Sequence, residues 1–144
     1  MKNFIIDKIN EIYDDFMLEL DEEKYYCDLK DLRYDGNNIP DYNNPLIQKY
    51  YLLRYMPAYL TEYYLMYKKM FRLNFLDNNP NIISIGCGCG IDFWGAKFAR
   101  DKNFSEIDIR YTGIDMVDWD YRDNLDIEES YFINKDINEI ERLD

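Results

Sequence analysis

The sequence predicts an α/β protein in which a helical N-terminal cap (residues 1–79) precedes a partial parallel sheet (residues 80–144). Apolar residues fall at helical spacing through most of the first part, and after Pro80 the texture changes to short β-branched runs that alternate with helical spacing. The resulting β-α-β-α-β order, with three strands present, requires parallel strands joined by crossovers. At 144 residues, 47% hydrophobic and 17% aromatic, the chain has the size of one ordinary domain and enough apolar surface to fold despite its charge.

Each element has its own reason. Ile5, Ile9, Ile12, Phe16 and Leu20 recur every three or four residues, with acids and lysine mostly elsewhere, which makes residues 2–20 an amphipathic helix. Residues 21–44 lose that period and collect Asp, Asn, Gly and Pro, so they read as a long loop with a turn at Asp35-Gly36. Asn44 before Pro45 is an N-cap followed by proline at the first helical position. The helix it opens extends to about Leu76, with a kink or break expected near Met56 because Pro57 lacks an amide proton and crowds the preceding turn. NIISIG is then a short buried strand, IDFWGAKFAR a helix, IRYTGID a second strand, residues 118–129 a helix, and YFINKDI a third strand.

Composition excludes several functions. Seventeen Lys and Arg against 29 Asp and Glu give a net charge of -12, which opposes direct gripping of a nucleic-acid backbone. With no His, the common general base, metal ligand and triad member are absent. Three Cys, Cys87 and Cys89 one residue apart and Cys27 distant, make neither a disulfide framework nor a four-ligand metal site, and no signal-like segment opens the chain. A cytoplasmic, reduced protein is expected. No apolar run approaches the ~18 residues of a membrane span. Charge is uneven: residues 45–80 carry five Lys or Arg and two acids, net +3, whereas residues 101–144 carry five against 14, net -9.

The segment richest in chemistry is Ile82-Ile83-Ser84-Ile85-Gly86-Cys87-Gly88-Cys89-Gly90-Ile91-Asp92, a strand running through G-x-G-x-G into a helix. Glycine admits positive φ and, lacking Cβ, lets a ligand approach the backbone, while the helix start offers amide protons to a polar or anionic group. The dinucleotide pattern G-x-G-x-x-G fails, since the sixth position from Gly86 is Ile91 and from Gly88 is Phe93. No Gly-Lys-Ser or Gly-Lys-Thr of a triphosphate loop follows. Asp115, ending the second strand 25 residues after Gly90, stands near the acid offset of nucleotide-binding βαβ units.

SIGCGCGID followed by YTGID resembles the first two motifs of the class I, Rossmann-like S-adenosylmethionine-dependent methyltransferases, over residues 81–137. The resemblance implies S-adenosylmethionine as cofactor, with Gly86, Cys87, Gly88 and Gly90 as the loop around its methionine part. It implies Asp115 as the ribose acid and Asp136, in FINKDI, as the adenine-side acid. A helical N-terminal extension covers the cofactor mouth in many members, which brings in Arg54, Tyr55 and Tyr59. The family's frequent acid two residues before the first glycine is here Ser84. Its fourth strand, which packs beside the first, has no counterpart before Asp144, so the expectation is a truncated chain or a covered strand edge. The methyl acceptor, a small molecule or protein, and the catalytic residues stay unassigned.

Simpler readings stand beside these. Seven of the 15 tyrosines fall between Tyr50 and Tyr67, and Tyr51, Tyr55, Tyr59, Tyr63 and Tyr67 recur every four residues, a stripe better suited to core or interface than to a ligand. Asp136 is equally readable as a solvated carboxylate, the cysteines as small loop fillers with modest reactivity from the helix start, Trp94 and Trp119 as packing residues, and Asp118 to Glu129 as a solvated acidic face. The alternatives to methyl transfer are a non-catalytic cofactor-binding or interaction module associating through its open strand edge, and a nicotinamide-dependent oxidoreductase.

Overall fold

A computed structural model describes residues 1–23, 40–124 and 130–141. The chain forms two compact units, Met1–Pro57 and Ala58–Asp144. In the first, helix α1 (Lys2–Glu23) buries Ile12, Phe16 and Leu20, the stripe its periodicity marks. Phe16 and Leu20 pack with Leu46, flanked by Tyr50 and Leu53, from the start of helix α2 (Pro45–Arg72). Lys49 pairs with Glu19 at the edge of this core. Asn44 caps α2 as expected: its side-chain oxygen accepts from the Leu46 N–H at 2.9 Å. The turn expected at Asp35-Gly36 lies outside the described residues.

Of the kink or break expected near Met56, the break is absent: α2 is continuous from Pro45 to Arg72 with Pro57 inside it. Proline removes one hydrogen bond, while both flanks are fixed by burial, Leu46 and Leu52 before it and Leu60, Tyr64, Tyr67 and Phe71 after it. The helix ends at Arg72 rather than near Leu76. Asn74 takes φ 52°, and the N–H groups of Asn74 and Phe75 donate to the carbonyls of Phe71 and Met70, a Schellman closure that satisfies the terminal acceptors.

In the second unit, strands β1 (Asn81–Ile85), β2 (Arg110–Asp115) and β3 (Ser130–Asn134) form an all-parallel sheet in the order β1-β2-β3, as the α/β reading requires. Helix α3 (Ile91–Asn103) connects β1 to β2. Ile82, Tyr111 and Phe132 share one face of the sheet and pack with Phe93 of α3 and the Cys87 side chain. Ala96 and Ala99 of α3 pack in turn against Tyr64, Tyr67 and Phe71, with Tyr63 beside them, so the Tyr63 and Tyr67 end of the tyrosine stripe belongs to the core. Gly95 marks the closest helix approach: a Cβ there would meet the Tyr63 side chain and lie 2.9 Å from the Tyr63 carbonyl carbon and the Tyr64 nitrogen. The opposite sheet face leaves Ile83 and Ile85 47% and 65% exposed. Where a helix over residues 118–129 is expected, residues 118–119 are not helical, Asp120–Asn124 forms a short 3₁₀ helix, and residues 125–129 lie outside the described residues. No described helix is long and apolar enough to cross a membrane.

Candidate functional site

The glycine loop leaves the carboxyl end of β1 and is pinned to the neighbouring strand by its backbone. Gly86 and Cys87 both donate their N–H groups to the Ile114 carbonyl, at 2.7 and 3.2 Å. All three loop glycines lie at positive φ, Gly86 at 68°, Gly88 at 57° and Gly90 at 80°, where a side chain costs about 1–2 kcal/mol. Gly90 also opens α3, accepting the Trp94 N–H and donating to the Cys87 carbonyl. A Cβ on Gly86 would meet open space within 4 Å, whereas one on Gly88 would lie 3.6 Å from the Trp119 indole.

Asp115 ends β2 beside this loop. One carboxylate oxygen accepts the Gly88 N–H at 2.8 Å and the other the Val117 N–H at 2.9 Å. An ionised carboxylate offers about four acceptor positions, so those two bonds leave capacity for hydroxyl donors of a ligand. The structure thus joins Gly86, Cys87, Gly88, Gly90 and Asp115 in one constellation at the carboxyl ends of parallel strands, where open α/β sheets bind ligands. Asp136 follows β3 at the same edge. One of its oxygens accepts from the N–H and side-chain amide of Asn138, capping the 3₁₀ turn Ile137–Glu139. Arg54 belongs to the N-terminal unit, with its guanidinium over the Tyr55 ring and donating to the Tyr50 hydroxyl at 3.3 Å. Tyr59 is half-buried on α2, one turn before Tyr63.

Several site residues escaped the sequence reading. Asp92, in the first turn of α3, is buried and accepts the Tyr111 hydroxyl proton at 2.8 Å, and the Ser84 hydroxyl bonds to it as well. Burial holds its carboxyl above the ordinary range in spite of those bonds. Burial first, then the Asp92 charge, pushes the Tyr67 and Tyr63 phenols upward. Burial likewise sets the two loop thiols, pushed up to about 12. Cys87 and Cys89 are free, buried thiols, and their desolvation opposes the reactivity that the helix start would favour.

The run after β2 exposes its described acids Asp118 and Asp120, as a solvated face does, and also contributes to the loop's packing. It buries Trp119 against Gly88 and buries Arg122, whose Nε donates to the Gly88 carbonyl at 2.9 Å. Gly88 is thus held at its N–H by Asp115 and at its carbonyl by Arg122. The signal available in the sequence is that Arg122 is the sole cation between Asp118 and Glu129. No protein family, curated protein or solved structure matches this chain.

Proposed function

We propose that the C-terminal unit binds S-adenosylmethionine and that the protein transfers its methyl group to a small-molecule or protein acceptor. The observation that carries this reading is the contact between a loop of three positive-φ glycines and the Asp115 carboxylate, at the carboxyl ends of adjacent parallel strands. Asp115 would accept the ribose hydroxyl protons with its unused lone pairs, favouring a free ribose over a phosphorylated one. The glycines would admit the rest of the ligand against the backbone. A sulfonium-bound methyl is already activated for in-line displacement, so the chain's main task is to position the two reactants and exclude water.

Isothermal titration with S-adenosylhomocysteine, with NAD as control, tests this. Selective micromolar binding is expected. NAD binding the tighter of the two would favour the oxidoreductase reading, and no binding of either ligand to folded protein would refute a nucleoside site. A non-catalytic binding or association module is the second reading, favoured by the exposure of Ile83 and Ile85 on the open strand β1. Cofactor binding without turnover over a panel of acceptors, together with self-association, would select it.

A further inference from the structure

The last turns of α2 are apolar on both sides. Tyr64, Tyr67 and Phe71 belong to the core, yet Leu65, Met66 and Leu73 are 56%, 42% and 55% exposed. At about 100° per residue, positions 65, 66, 69, 72 and 73 share an arc of about 120°, so the exposed Lys69 and Arg72 lie among these apolar side chains. Phe75 extends the patch beyond the helix. Its N–H is held by the Met70 carbonyl at 2.9 Å, in a Schellman closure whose residue at this position commonly packs back on the helix. Phe75 is instead 78% exposed, more than any other large hydrophobic side chain among the described residues. The closure fixes its backbone, so the ring is presented from a defined place. Charge is as local as hydrophobicity: Lys68, Lys69 and Arg72 are the only charged residues from Tyr63 to Leu76, between Glu62 and Asp77, in a chain of net charge -12.

We propose that the face formed by Leu65, Met66, Lys69, Arg72, Leu73 and Phe75 docks on a lipid surface with anionic headgroups. The apolar side chains enter the boundary between headgroups and acyl chains, and the two cations meet lipid phosphates. The helix lies along the interface with its tyrosine side still in the protein core, so no span of the bilayer is involved. Exposed knobs on a helix end and its turn favour this partner, because a protein would have to supply a pocket for each of them, whereas a bilayer yields around them. Charge favours it too and sets the orientation: the acids elsewhere in the chain are repelled by such a surface, so this patch approaches first. The docking face and the nucleoside site proposed above do not depend on each other.

Cosedimentation of the full chain with vesicles tests this, using phosphatidylcholine alone and an equimolar mixture of phosphatidylcholine with phosphatidylserine. The mixed vesicles should carry the protein down, the neutral ones several-fold less, and added salt should release it. Leu73→Ser combined with Phe75→Ser should lower the partition roughly tenfold or more, and Lys69→Gln about fivefold, the worth of one cation at such a surface. Because these side chains are exposed, the variants should keep the urea midpoint of the wild type, which separates lost docking from lost folding. If the double variant does not fold, Phe75→Ser alone decides, at the most exposed of the positions. No cosedimentation with the mixed vesicles, equal partition into both kinds, or an unchanged partition in the double variant would overturn the proposal. Self-association of the wild type that the double variant abolishes, without vesicle binding, would overturn it as well and make the patch a contact between copies of the chain.

Discussion

At the scale of single residues, the site rests on two carboxylates in opposite situations. Asp115 is half-buried, bonded to Gly88 and to its own turn, with acceptor capacity to spare, whereas Asp118 is exposed. Asp115→Ala should weaken S-adenosylhomocysteine binding by about tenfold or more, and Asp118→Ala should leave it unchanged, as read by titration calorimetry. Equal effects would remove Asp115 from the ribose. Asp92 is instead buried with a raised pKa. A native carboxyl that holds its proton more tightly than the unfolded one contributes stability below the unfolded pKa, lost as pH rises through the native value. Asp92→Asn keeps an acceptor for Tyr111 and removes the titration. The variant should therefore gain on the wild type as pH climbs from about 4 towards neutrality, seen as diverging urea midpoints. Parallel midpoints would show that the Asp92 carboxyl has no net linkage to folding. The sequence displayed Gly86, Gly88, Gly90 and Asp115 because backbone demands and strand ends leave marks in residue type and spacing. Asp92, Tyr111 and Arg122 left almost none: their roles arise from tertiary burial, and an acid in an acid-rich chain carries no sign of where it will be buried.

At the scale of elements, local signals placed α1, the Asn44 cap, the strands and α3 well, because alternation and helical period report one-sided burial directly. They misplaced the end of α2 and its supposed break. Pro57 announces a lost hydrogen bond, but whether a helix survives that loss is decided by the burial of Leu52, Leu60 and their neighbours, which only the fold supplies. Gly95 was silent for the same reason, since a helical glycine reveals nothing of what presses on it. A Cβ at this position would strike the Tyr63 side chain and the α2 backbone, which cannot yield as a flexible side chain can. Gly95→Ala should consequently destabilise the protein by roughly 1–3 kcal/mol despite alanine's higher helix propensity, measured by chemical denaturation. Stabilisation would mean that the two helices separate readily.

At the scale of the whole molecule, the sheet is covered on one face by α3 while Ile83 and Ile85 stand exposed on the other. All-parallel sheets almost always have both faces covered, so this surface is the part of the molecule most prone to association. Ile85→Lys places a charge on the open strand and should reduce concentration-dependent association in sedimentation velocity, with stability changed by no more than about 0.5 kcal/mol. Unaltered association would place the contact elsewhere. The division into Met1–Pro57 and Ala58–Asp144 also bears on how the chain is made. The described core partners of Phe16 and Leu20 have emerged once Leu53 has, but Tyr64, Tyr67 and Phe71 wait for Ala96 and Ala99. At about 5–20 residues per second, a growing chain carries that tyrosine-rich stripe bare for a few seconds on every round of synthesis, an interval in which a chaperone, or another nascent chain, can reach it first.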